Sequence, residues 1–379
     1  MVEDASTQGG RTNSFGESRV RSEKAFAKLV AEVRPCIDVQ IREWLRPRVV
    51  AATELSEEVG AVAEAVRDLS LRGGKRLRAA LVAAGFEAAS AQGESVGIGE
   101  PAWAPCVPAM IALELLQTYL LIHDDWMDND DVRRGGPAVH VLLRDKLGSR
   151  ALGDAATILA GDLASSYSQD ALLETELAPE RVFRALRAFA RIQVEVVTGQ
   201  IAEMRAVVRT GTLPSVETIH ALKTASYTVT GPLLIGASLG GASEARCAEL
   251  ERFGRPLGIA FQLRDDLLGA FGDPSATGKP VGNDIREGKR TALITELRGH
   301  ARAQALLERV FGKPDAQDAD IAAVIRAMEE SGARARVEAR VRELSDEARH
   351  ALDAMAPAMS ETGHLWLAGA VRALGERSS

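Results

Sequence analysis

Glu114-Leu115-Leu116-Gln117-Thr118-Tyr119-Leu120-Leu121-Ile122-His123-Asp124-Asp125-Trp126-Met127-Asp128 is the stretch on which the fold turns. It is an apolar run without glycine or proline, which predicts a helix, and three aspartates close it. On an α-helix, residues at i, i+1 and i+4 lie within about 100° of one another. Asp124, Asp125 and Asp128 therefore reach one edge of a cavity together. Carboxylates finishing an apolar helix are costly to place unless a positive group neutralises them.

A second apolar helix ends in Asp265-Asp266-Leu267-Leu268-Gly269, with glycine where a third carboxylate would complete the symmetry. Mg²⁺ takes oxygen ligands and retains several waters, so one or two carboxylates per ion plus phosphate oxygens form a sufficient set. Cations follow each cluster. Arg133 and Arg134 come just after the first, each with a planar fork suited to a diphosphate. Lys279 follows the second, and Lys223 lies beside Thr224 in an otherwise apolar helix. Gly73-Gly74-Lys75-Arg76-Leu77-Arg78 places two glycines before three positive charges, with Lys75 and Arg78 expected to face one anion together at i, i+3.

Composition narrows the class. The chain has 379 residues, 46% hydrophobic but only 4% aromatic, so alanine and leucine carry the apolar content and helices packed on helices are expected. A net charge of −7 leaves no global basic field for nucleic acid. Cys36, Cys106 and Cys247 are scattered and odd in number, which fits a reducing cytoplasm rather than a disulfide framework or zinc site. No apolar stretch is expected to reach membrane-span length without a charge, and no signal-peptide core is evident.

Residues 1–21 read as a disordered tail and 22–379 as one all-helical domain. Breaks are expected near Pro47, at Gly73-Gly74, across 93–105, and at 131–137. Further helices are expected around 153–175, 179–208, 215–240 and 244–271, with Ser215 and Ser243 as N-caps. After a Gly/Pro/Asp-rich loop to Gly288, two or three amphipathic helices complete the chain.

The motifs GGKRLR (73–78), ELLQTYLLIHDDWMD (114–128), RRGGPAVH (133–140), AGD (160–162), GQ (199–200), KT (223–224), FQLRDDLLG (261–269) and GKPVGNDIREGKRT (278–291) resemble, in order, those of the trans-isoprenyl diphosphate synthases, or polyprenyl synthetases. Within that family the chain looks most like the geranylgeranyl diphosphate synthases. The resemblance spans roughly residues 22 to 375. It implies an all-α isoprenoid synthase fold of antiparallel helices around a deep central cavity, usually as a homodimer. It also implies Mg²⁺ as cofactor, about three ions per site, with isopentenyl diphosphate and an allylic diphosphate as substrates.

By that resemblance Asp124, Asp125, Asp128 and Asp265 are metal ligands, with Asp266 helping through metal-bound water. Arg133, Lys223 and Lys279 hold the allylic diphosphate; Lys75, Arg78, Arg134 and Gln117 hold isopentenyl diphosphate. Thr224, Gln200 and Gln262 steady the cation and the departing diphosphate. Gln117 stands where many members have histidine, and Glu203 where many have aspartate. Tyr119 and Leu120, five and four positions before the first aspartate, are the expected chain-length residues, although an ideal wheel puts Leu120, Leu121 and Gln117 nearer the carboxylate face than Tyr119. A C20 product is expected, with C15 or longer as the alternative. A class I terpene cyclase would not need the Lys75, Arg78 and Arg134 set, and a non-catalytic regulatory subunit would not retain so many ligands.

Overall fold

The structure, a computed structural model, describes residues 9–89, 101–208, 214–273 and 281–376. Among these the only strands are two dipeptides, β1 (Val132–Arg133) and β2 (Gly136–Pro137), so the fold is all-α. The chain divides into two compact units, one of residues 27–186 and 235–242, the other of 1–26, 187–234 and 243–379.

Helix α1 runs Gly9–Leu55 and contains both Pro35 and Pro47, so the break expected near Pro47 does not occur. Phe26, Leu29, Val33, Ile37, Ile41, Leu45 and Val49 recur at three- and four-residue spacing and are all buried. Each contributes about 1.5–3 kcal/mol against about 3 kcal/mol per internal proline, so burial prevails. The boundary expected at residue 22 also falls inside this helix, because extension beyond a packed segment adds one hydrogen bond per residue without a new nucleus. Residues 1–8 of the expected tail lie outside the described residues.

In the first unit α2 (Glu57–Leu71), α3 (Leu77–Ala89), α4 (Val107–Asp128), α5 (Val139–Lys146) and α6 (Arg150–Leu173) follow. Ala61, Ala65, Val66, Leu69, Ile122, Leu143, Ala160 and Ala164 form a core there. Together with its preceding turn, α4 is long and apolar enough to cross a bilayer by length and composition, though any such span includes the charge of Glu114. It is nevertheless 61% buried in protein and carries buried Glu114, ion-paired to Arg76.

The second unit holds most of α7 (Pro179–Val208), then α8 (Val216–His220), a π-helical segment (Ala221–Thr230), the start of α9 (Gly231–Leu239), α10 (Glu244–Phe271) and α11 (Asn283–Arg286). Beyond lie α12 (Ala292–Arg298), α13 (Ala301–Val310), α14 (Asp318–Glu330), α15 (Ala333–Met355) and α16 (Glu361–Val371), more helices than the two or three expected. The first four are separated by turns at Gly299, Gly312 and Gly332, and their Ile294, Leu297, Leu307, Val324 and Leu344 are buried in a common core. Ser215 and Ser243 cap as expected, accepting from Thr218 N and Arg246 N.

Candidate active site

In the first unit α4 stops at Asn129, whose φ of 60° turns the chain out of the helix. Arg134 and Gly135 follow with φ of 51° and 71°, the two left-handed positions of a tight hairpin pairing Arg133 with Gly136. The hairpin folds Arg133 back onto the end of α4. Its Nε donates to Asp125 Oδ1 at 2.7 Å, and its Nη2 donates to Asp130 Oδ2 at 3.1 Å. Arg72 anchors the hairpin through Arg133 O at 3.2 Å and Pro137 O at 2.7 Å. A Cβ on Gly136 would strike the Arg72 guanidinium and push it away from the hairpin carbonyls.

Asp125 is buried, and its Oδ2 has no hydrogen-bond partner. Burial holds its carboxyl above the ordinary range, against the pull of Arg133, while the Asp130 and Asp124 charges add to the rise. Asp124 is half-buried and Asp128 exposed.

The glycines of GGKRLR have φ of 82° and 149°, and Arg76 has φ of 51°. Helix α3 begins only at Leu77, so Lys75 precedes it, and the expected i, i+3 pairing of Lys75 with Arg78 on one helix does not form. The helix is delayed because Arg76 is drawn inward, donating to Glu114 Oε2 at 2.6 Å, Asp38 Oδ1 at 2.8 Å and Ser70 O at 2.8 Å. Lys75 is left exposed. Arg78 donates to Gln117 Oε1 at 2.7 Å. Since arginine cannot accept, the Gln117 amide NH₂ is turned elsewhere and remains available as a donor. The Arg134 guanidinium lies over Gly74, 3.6 Å from where a Cβ would stand. Burial holds Arg134 below its ordinary value despite Glu114, and Arg76, Arg78 and Arg133 push it further down. Crowded cations of this kind are relieved by an anion.

In the second unit Lys223 and Thr224 sit on the π-helical segment rather than in an α-helix. Such segments are rare and frequently mark functional sites. Gly199 allows α7 to approach: a Cβ there would lie 2.5 Å from Lys223 N. Gln200 is half-buried beside it. Lys223 Nζ donates to Glu203 Oε2 at 2.5 Å, so the longer arm of glutamate reaches the lysine. A polar chain then runs from Thr224 Oγ1 to Gln262 Oε1 at 2.9 Å, and from Gln262 Nε2 to Asp266 Oδ1 at 3.0 Å. His220 Nε2 stands 3.6 Å from Asp266 Oδ2, and burial pushes that imidazole down to about 4, so it is neutral.

Burial holds Asp266 well above the ordinary carboxylate range; the Gln262 hydrogen bond opposes this, and the Asp284 and Asp265 charges reinforce it. Asp265 is exposed. A Cβ on Gly269 would stand 3.1 Å from Asp284 Oδ2, so a carboxylate from α11 approaches the place where a third motif residue would extend. Lys279 lies outside the described residues.

Sequence reasoning missed Arg72, Arg76 and Glu114 as positioning groups. Glu114 carried the available signal, a carboxylate within an apolar run that demands a buried partner.

Among the described residues no three His, Cys, Asp or Glu side chains already converge as a metal cage. Mg²⁺ does not require one, since substrate phosphates and water complete its octahedron. In the first unit the buried Asp125 leaves one oxygen unpartnered, and there, as at Asp266 in the second unit, a cation would favour the ionised carboxylate that burial opposes.

Residues 59–328 match the family described as Polyprenyl synthetase. The chain is 34% identical over 269 residues to a geranylgeranyl diphosphate synthase of Methanosarcina mazei, covering 71% of this chain and 76% of that protein. It is 35% identical over 267 residues to a (2E,6E)-farnesyl diphosphate synthase of Mycobacterium tuberculosis, covering 69% and 68%. Among solved structures, a geranylgeranyl pyrophosphate synthase from Corynebacterium glutamicum, complexed with isoprenyl diphosphate and magnesium, shares the fold with a TM-score of 0.81. It is 32% identical, over 90% of this chain and 98% of that one.

Proposed function

Because the chain belongs to the polyprenyl synthetase family and is a prenyltransferase, we propose that it condenses isopentenyl diphosphate head-to-tail with an allylic diphosphate to make geranylgeranyl diphosphate, releasing pyrophosphate. The observation that carries this reading is the gathering of Arg78, Gln117 and Arg134 beside an aspartate motif whose buried Asp125 lacks a partner on one oxygen. A cyclase needs no such second anion site.

Mg²⁺ would be held by Asp124, Asp125 and Asp128 of the first aspartate motif and by Asp265 of the second, with Asp266 and Asp284 assisting through water. Bound there, Mg²⁺ would supply positive charge to the leaving diphosphate, the chemistry that eases ionisation. Arg133, held in place by Asp125 and Asp130, would offer its guanidinium to the allylic diphosphate. Lys223 and Lys279 hold the same diphosphate. Thr224, Gln200 and Gln262 present dipoles to the allylic cation left behind. Lys75, Arg78, Arg134 and Gln117 hold isopentenyl diphosphate with its double bond toward that cation. The new carbon–carbon bond forms from the double-bond electrons, and the departed pyrophosphate takes the proton then lost.

The protein works as a homodimer, which is supported by apolar faces left uncovered in each unit. On α6, Leu152, Leu159 and Leu173 are each about 61–62% exposed at seven- and fourteen-residue spacing. On α7, Val194, Val197, Ile201 and Met204 form a comparable exposed stripe. Residues 22–379 act as one catalytic domain, and none of the three cysteines is in a disulfide, which supports a cytoplasmic setting.

Incubation with Mg²⁺, isopentenyl diphosphate and dimethylallyl, geranyl or farnesyl diphosphate, followed by product sizing, tests the reading. Condensation ending at C20 is the expected result. A C15 end point would favour the farnesyl reading, for which the 35% identity to a farnesyl synthase speaks. Absence of condensation with every primer would overturn the assignment.

A further inference from the structure

On α4 the side chains at 117, 119, 120, 121, 123 and 124 are half-buried, whereas nearly all positions before them are buried. Tyr119 therefore stands at the edge of the core, only partly covered. The ring is fixed from one side. His123, one turn later, packs edge-on against it with centroids 4.9 Å apart and planes at 70°. His123 is held in turn by a hydrogen bond between its Nε2 and Ile158 O, at 3.1 Å. A carbonyl only accepts, so Nε2 carries the proton. The imidazole fits there only because residue 161 on α6 is glycine: a Cβ would come within 2.9 Å of His123 Cε1 and closer still to Nε2.

On the other side Tyr119 packs against the first unit's apolar core. Burial pushes its phenol up, and the Asp162 charge adds to this, so the hydroxyl stays protonated. Along the axis Tyr119 lies about 7.5 Å below Asp124, at about 1.5 Å per residue.

We infer that His123 and Gly161 are product-length residues: together they form a brace that holds the Tyr119 ring in the position where it stops chain growth. This rests on Tyr119 being the floor of the elongation site. The brace consists of a ring contact, one hydrogen bond and one missing methyl group. Removing any of the three frees the Tyr119 ring to swing and admits a further isoprene unit.

Gly161→Ala is the informative variant. It adds a good helix former to α6, and the atoms it displaces belong to a movable imidazole rather than to backbone. The fold is therefore retained while the brace is lost. Product distributions are to be compared for Tyr119→Ala, His123→Ala, His123→Phe, Gly161→Ala and the Tyr119→Ala/Gly161→Ala double variant, each first shown folded by its thermal melt. Length ratios are internal to each reaction and do not depend on total turnover.

Loss of an edge-on ring contact is expected to raise the ratio of C25 to C20 product about two- to tenfold in His123→Ala and Gly161→Ala. His123→Phe, which keeps a ring edge but loses the hydrogen bond to Ile158 O, should fall between wild type and His123→Ala. The double variant should extend no further than Tyr119→Ala alone, since both act through one ring. If Tyr119→Ala lengthens the product while His123→Ala and Gly161→Ala leave it unchanged, the brace is refuted and the floor stands. If Tyr119→Ala itself changes nothing, the floor is refuted and the brace with it.

Discussion

Asp284 Oδ2 stands 3.1 Å from the point where a side chain on Gly269 would begin. The two backbones are tied as well, since Gly282 N donates to Gly269 O at 3.1 Å and Lys289 N to Asp284 O at 2.8 Å. Asp284 thus brings negative charge to the end of α10, where the second aspartate motif lacks its last carboxylate. Asp284→Ala should raise the Mg²⁺ concentration needed for half-maximal activity by about 10–100-fold, the usual cost of an outer-sphere metal group. Gly269→Asp should not improve the enzyme, because two carboxylates this close cannot both ionise. Mg²⁺ titrations followed by activity and by thermal shift check both statements.

The metal-free protein should lose stability as pH rises. Asp125 and Asp266 have folded-state pKa values raised above the ordinary 3.8. The folded state therefore holds more protons than the unfolded state between 3.8 and those raised values, and stability falls across that window. Mg²⁺ with pyrophosphate should remove this slope by binding the ionised form. Melting temperatures from pH 4 to 8, with and without both ligands, measure it. A flat metal-free profile would contradict the burial of these carboxyls.

Arg76 and Glu114 are a buried pair, with side chains only 1% and 3% exposed. Arg76→Ala leaves Glu114 charged and unpartnered, which should cost about 3–5 kcal/mol in urea denaturation. Arg76→Met combined with Glu114→Leu should recover most of that stability. Recovery of stability without recovery of isopentenyl diphosphate affinity would show that the pair's use is to set Lys75 and Arg78.

Leu159→Glu on the exposed stripe of α6 should shift the protein toward monomer in analytical ultracentrifugation, with a helical circular dichroism spectrum unchanged. A monomeric wild type at micromolar concentration would refute the dimer.

Much was legible locally. The bounds of α7 and α10 agree with the local residue pattern, and the caps Ser215 and Ser243 follow from hydroxyls that satisfy nearby backbone N–H groups. The family and its motif residues were equally readable, because each motif is a short run whose chemistry is local. Pro47 misled because its local penalty is outweighed by apolar contacts made far away in sequence. Lys75 misled for the converse reason: the neighbouring Arg76 is drawn inward by Asp38 and Glu114, and the helix start moves with it.

By itself the sequence determined the all-helical class, through its composition and periodicity, and the family, through its ordered motifs. Only the tertiary structure decided that Arg133 rests on Asp125, that Asp284 faces Gly269, and that His123 occupies the space left by Gly161. Those relations join residues from different turns and helices. They are set by how closely backbones approach and which buried charge finds a partner, which no local pattern encodes.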